Sequence, residues 1–231
     1  MLKSKELRAR AWNSLKGKYW KALLVALVMG VLVSAGTGFV SAAQSMTSIA
    51  NMVDPSQMDD TMKLGALVIS VGALVLSMIG LLLSIFVGNA ATVGQAHYFV
   101  KNTYANPSFA DAFSGFKVNY RRNIGALLVM GIKLALWSLL FAIPGIIKSF
   151  EYAMIPYILA DDPEISSKDA FKKARAMMKG NKWRLFKLNF SFIGWELLCG
   201  LTLGLGTFFL LPYICAANAE FYAELKNKQI A

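Results

Sequence analysis

Charge is scarce in this chain, and histidine and cysteine are nearly missing. Only 16% of its 231 residues are Asp, Glu, Lys or Arg, against about 25% in soluble domains. That shortage excludes an ordinary water-solvated surface. With 56% hydrophobic residues and a mean hydropathy of +0.50, it points to a chain solvated by lipid. A single histidine, His97, and two cysteines, Cys199 and Cys215, cannot assemble a zinc site. Both cysteines fall in apolar segments, where free buried thiols are expected. There is no His/Glu metal motif, no Gly-x-Ser-x-Gly elbow and no phosphate loop, so neither an enzyme activity nor a cofactor is expected. Acidic residues are few as well, 13 against 24 basic ones, a net charge of +11. In a soluble protein that surplus would suggest nucleic acid. Here the basic residues flank apolar runs, as they do in cytoplasmic loops of membrane proteins, and no nucleic-acid partner is expected.

What the chain does have is apolar length. Runs near the ~20 residues that cross a bilayer cover about 19–43, 64–87, 124–142, 185–201 and 207–225, with a shorter one at 147–160. The second continues through the small, polar stretch 88–96 without a proline, so one helix packed closely through small residues is expected. Ile143-Pro144-Gly145-Ile146 is expected to break the third run, because proline removes a donor and glycine permits reversal.

A basic amphipathic segment precedes these runs, and it recurs. Ser4-Lys5-Glu6 through Lys16-Gly17-Lys18-Tyr19-Trp20 returns, ungapped and at one constant offset, as Ser167-Lys168-Asp169 through Lys179-Gly180-Asn181-Lys182-Trp183. In the second copy Ala170, Phe171, Ala174, Met177 and Met178 form one helical face, and Lys168, Lys172, Arg175 and Lys179 the other. A third copy is expected where Ser108-x-x-Asp111-Ala112-Phe113 parallels Ser166-x-x-Asp169-Ala170-Phe171, with Phe109, Phe113 and Phe116 on one face. The internal copy also argues against reading the basic N-terminus as a cleaved leader.

These patterns predict an all-α membrane protein: six transmembrane helices in three hairpins, each led by a basic amphipathic interfacial helix. It forms one membrane domain, 1–231, with repeat units of about 1–101, 102–162 and 163–231. Apart from Lys63, Lys133 and Lys148, every Lys and Arg falls on one side of that plan, so both termini are expected on the cytoplasmic side of the cell membrane. Trp20 and Trp183 then sit at the inner interface.

The motifs Asn189-Phe190-Ser191-Phe192-Ile193-Gly194-Trp195, Leu201-Thr202-x-Gly204-x-Gly206, Pro212-Tyr213 and Phe221-Tyr222 resemble a known family. So do Ile143-Pro144-Gly145-Ile146-Ile147, Tyr152 and Met178-Lys179-Gly180. The resemblance is to the bacterial multi-pass membrane proteins called domain of unknown function 975, and more distantly to the membrane domain attached to some glycerophosphodiester phosphodiesterases. It implies a multi-pass protein and no established activity, cofactor or catalytic residue.

Candidate functional residues follow from cost. Lys133 and Glu196 lie midway along the third and fifth runs, where ionisable groups are expensive, and a pair or a shared polar cavity is expected between them. Lys148 and Glu151 are three apart, the spacing of a local helical pair near the outer end of the fourth run. His97 and Glu220 are expected as satisfied interfacial residues. Lys168, Lys172, Arg175 and Lys179 with Trp20 and Trp183 would meet anionic headgroups. The function expected is a scaffold or accessory protein that engages anionic lipids, a partner membrane protein or a cytoplasmic protein. The alternative is a transporter or exporter of a small or amphiphilic substrate, with Lys133 and Glu196 lining its path.

Overall fold

The computed structural model describes residues 2–52 and 58–230, with side chains through 228. Among the described residues every regular element is a helix. Three are long and apolar enough to cross a membrane: Tyr19–Ala50, Asp60–Asn102 and Tyr120–Leu140. The chain divides into two compact units, one of Met1–Gly30 with Ala90–Ala231 and one of Val31–Asn89.

The smaller unit is a helical pair, from α2 (Tyr19–Ala50) and α3 (Asp60–Leu83). Asp59 caps α3 by accepting from the Met62 N–H. The helices touch at glycines. A Cβ on Gly36 would lie 2.4 Å from the Gly80 carbonyl oxygen, and one on Gly80 2.6 Å from that of Gly36, the close approach small residues allow. Leu67, Val71, Leu74 and Met78 stay exposed, as a lipid-facing surface would. A wide π turn, Ser84–Gly88, joins α3 to α4 (Asn89–Asn102) without a break, so the expected continuity through the polar stretch is observed.

The larger unit opens with α1 (Ser4–Leu15), whose Leu7, Ala11 and Leu15 are buried. It matches α9 (Ser167–Met178) element by element. Each ends in Lys-Gly, and Gly17 and Gly180 both adopt φ +78, a conformation open to glycine. The next helices start at equivalent residues, Tyr19 in α2 and Lys182 in α10 (Lys182–Phe190). The expected middle copy is shorter: a 3₁₀ turn at Phe109–Phe113 and α5 (Ser114–Lys117), opened by a Ser108/Asp111 capping box.

The later helices depart from the six-run plan. The run at 124–142 becomes α6 (Tyr120–Leu140), which ends at Phe141, before the proline. Pro144 sits in the first turn of α7 (Ala142–Tyr152), where its missing N–H leaves no bond unmade. Gly145 lets the two helices meet, since a Cβ there would be 2.5 Å from Ser138 Oγ. The run at 147–160 is divided between α7 and α8 (Ile155–Asp161). The run at 185–201 is divided between α10 and α11 (Ile193–Leu201), which part at Ser191-Phe192. These pieces are 11, 7, 9 and 9 residues long. The last helix, α12 (Leu205–Ile230), runs through Pro212.

Each surface segment packs on the closing helix of a hairpin. Gly94 of α4 meets the Ala112 carbonyl, and Gly115 of α5 meets that of Ala90. α9 packs on α7 and α8, with Tyr152 edge-on to Phe171 at 5.3 Å. α1 lies along α12, with Trp12 edge-on to Tyr213 at 6.1 Å and the Leu2 N–H donating to Glu224.

Candidate functional site

The most charged junction is built by α6, α7, α9 and the start of α10. Glu151, 11% exposed at its side chain, receives three cations. Lys148 Nζ lies 2.9 Å from Oε1, Lys182 Nζ 2.5 Å from Oε2, and Arg175 Nε 3.5 Å from Oε1. The Arg175 guanidinium also donates to Tyr152 Oη at 3.2 Å. Burial works to raise the Glu151 pKa, but hydrogen bonds and charge from Lys182 and Lys148 outweigh it and hold the carboxyl below its ordinary value. The local Lys148–Glu151 pair is therefore present, and its surroundings differ from those expected. Glu151 meets the surface helix α9 and the start of α10 through Arg175 and Lys182, because α7 stops and packs there.

Beside this junction is an open cleft of about 510 Å³. Lys133, Lys168, Lys172 and Arg175 line it, over Phe171 and Val129. Lys133 Nζ stands 4.1 Å from the centre of the Phe171 ring, a cation–π contact. Among the described residues no acidic side chain pairs with Lys133, Lys168 or Lys172. Four cationic groups facing one cleft attract an anion, and Val129 and Phe171 beside them offer an apolar wall.

The expected Lys133–Glu196 pair is not formed among the described residues. Glu196 is exposed on α11. The bend at Ser191-Phe192 carries α11 onto α12 and away from α6, so the two groups do not line one cleft. Trp20 and Trp183 are exposed in the first turns of α2 and α10, at 72% and 62%. Trp183 stacks on Phe186 at 4.8 Å. Lys179 is exposed at the end of α9. His97 is satisfied, its Nδ1 donating to the Ala160 carbonyl at 2.9 Å. Glu220 is buried near Arg10 and lines a polar cleft with Asp161 and Lys226. Burial raises its pKa, and Arg10 opposes that rise.

Sequence spacing missed two arginines that hold the unit together. Arg122 donates to the carbonyls of Leu159, Asp162, Pro163 and Ile165, so one guanidinium serves the end of α8 and the loop that follows it. Arg184 joins Glu224 at 2.8 Å and the Leu2 carbonyl at 2.9 Å. Both are distant contacts that no local period announces; only their place at the start of an apolar run sets them apart.

Neither the curated proteins nor the solved structures contain a match. Residues 139–229, from the end of α6 to the last turns of α12, match the model of the family described as Protein of unknown function (DUF975), the one the chain's motifs resemble.

Proposed function

We propose that the protein is a non-enzymatic membrane scaffold that holds a basic helical layer against the anionic headgroups of the cytoplasmic leaflet. From there it would present that layer to a partner membrane or cytoplasmic protein. The observation that carries this reading is the cleft of Lys133, Lys168, Lys172 and Arg175 without a matching carboxylate at three of the four. Each basic residue near an anionic surface contributes about 1 kcal/mol. The shared bounds of α1 and α9 and their twin Lys-Gly ends support an internal repeat in which each surface segment clamps a hairpin. The positive-inside pattern supports cytoplasmic termini. A transport path through Lys133 and Glu196 gains no support from their positions, because they do not line one cleft.

Lys168 and Lys172 are cleaner probes than Arg175, which Glu151 and Tyr152 already hold. In the purified protein, native mass spectrometry with phosphatidylglycerol and phosphatidylcholine in competition reads the preference. Lys168→Glu with Lys172→Glu is expected to lower bound phosphatidylglycerol about tenfold or more, since two favourable charges of about 1 kcal/mol each become repulsive. Unchanged binding would remove the proposal.

A further inference from the structure

We infer that the hairpins α6–α7 and α11–α12 enter one leaflet only, so that their turns end inside the bilayer. α9 carries four exposed Lys or Arg residues on its outward face and termination, and so it lies at the headgroups and not in hydrocarbon. Lys133 shares a cleft with that helix, and Lys148 shares Glu151 with Arg175. Both therefore lie near the same level. From Lys133 to the end of α6 is seven residues, about 10 Å at 1.5 Å each. The return along α7 from its start to Lys148 is about 9 Å. A hydrocarbon core is about 30 Å thick, so this hairpin reaches near the midplane and stops.

The other hairpin gives the same answer from different residues. Arg8 of the basic helix α1 donates to the Ser191 carbonyl, and the Arg8 carbonyl accepts from Tyr213 Oη. These contacts put Ser191 and Tyr213 at the level of α1. From there α11 rises nine residues, about 13 Å, and Leu205 to Tyr213 returns about 12 Å.

The turns are built for oil. No charged residue lies between Lys133 and Lys148 or between Glu196 and Glu220. Leu139, Phe141, Leu201 and Leu203 are 85%, 73%, 82% and 95% exposed. Water would leave such turns bare, and headgroups would leave them unpaired. Backbone groups in hydrocarbon must be satisfied internally, and the N–H groups of the turn after α11 meet that demand. The N–H groups of Thr202, Leu203, Gly204, Leu205, Gly206 and Thr207 all find acceptors, including Thr202 Oγ1. The Phe141 N–H donates to the Trp137 carbonyl, and its own carbonyl accepts from Gly145.

The inference rests on the headgroup seat proposed for the basic layer, and depth measurement separates the two. Single cysteines replace Leu139, Leu201 or Lys172 in a Cys199→Ala, Cys215→Ala background, with Cys199→Ser, Cys215→Val as a second background if the first melts early. A bimane probe is attached in phosphatidylglycerol-containing vesicles. Its quenching is compared among nitroxide lipids labelled at the headgroup, nitroxide lipids labelled at the acyl-chain end, and aqueous iodide on both sides. Probes at 139 and 201 are expected to be quenched most by the chain-end nitroxide and shielded from iodide, with the probe at 172 quenched most by the headgroup nitroxide. Headgroup or iodide quenching at 139 or 201, with 172 still at the headgroups, overturns the half-depth hairpins alone. A probe at 172 that only iodide reaches, or that only the chain-end nitroxide reaches, overturns the headgroup seat itself.

Discussion

Arg122 shows how one side chain can close a long-range junction. Its guanidinium reaches the carbonyls of Leu159, Asp162, Pro163 and Ile165 while also donating to Asn123 Oδ1. A lysine has the charge but not the fork. Arg122→Lys is expected to cost about 2 kcal/mol or more, as hydrogen bonds from a charged donor carry about 1.5–3 kcal/mol each, read as a lower melting temperature in detergent. Glu151 poses the opposite case, one anion among three cations. Its carboxyl is held below the ordinary carboxylate value of about 4.3. The stabilisation it brings is complete above that value and is lost as pH falls through the lower folded-state pKa. The wild-type melting temperature should therefore fall on acidification from about pH 5 to pH 3, and Glu151→Gln should flatten that part of the curve. At neutral pH the same variant should cost about 1–3 kcal/mol, from hydrogen bonds to charged partners left unmade.

At the scale of elements, glycines mark two different demands. Gly17 and Gly180 have nothing within 4 Å of an added Cβ, yet both sit at φ +78. Alanine there meets only backbone strain, and each substitution is expected to cost about 1–2 kcal/mol, in equal measure at the two sites. Gly94 has an ordinary helical backbone, but a Cβ would come 1.9 Å from the Ala112 carbonyl oxygen. That oxygen belongs to backbone and cannot swing aside, so Gly94→Ala should cost about 3 kcal/mol or more. A thermal melt of the three variants side by side tests the order. The twin Lys-Gly ends were legible in the sequence because a helix end is a local event, fixed by a few adjacent residues. The division of the fourth run into α7 and α8 has a local cause, since Pro156 in the first turn of α8 cannot donate to the Tyr152 carbonyl. The division of the fifth run was not legible: no glycine or proline stands at Ser191-Phe192, where the Arg8 guanidinium of α1 holds the Ser191 carbonyl.

For the molecule as a whole, the depth of its apolar turns matters more than their hydropathy. A lysine introduced at Leu203, 95% exposed, would be nearly neutral if the turn met water. In a turn that ends in hydrocarbon it should cost about 2.5–3.5 kcal/mol, seen as reduced membrane insertion and a lower melting temperature, while Leu203→Met, unbranched at a position of φ +53, should change little. Sequence alone determined the solvent and the class of this protein. Scarce charge, long apolar runs and basic flanks point to helices in lipid, and the Ser166-x-x-Asp169 pattern marks the start of α9. Only the tertiary structure decided which charges meet. It brought Lys133 to α9 instead of Glu196, gave Glu151 three cations, and set the hairpin turns about 10–13 Å beyond a basic layer. Those distances depend on where a surface helix docks along another helix, a choice made by contacts far apart in the chain that no local period records.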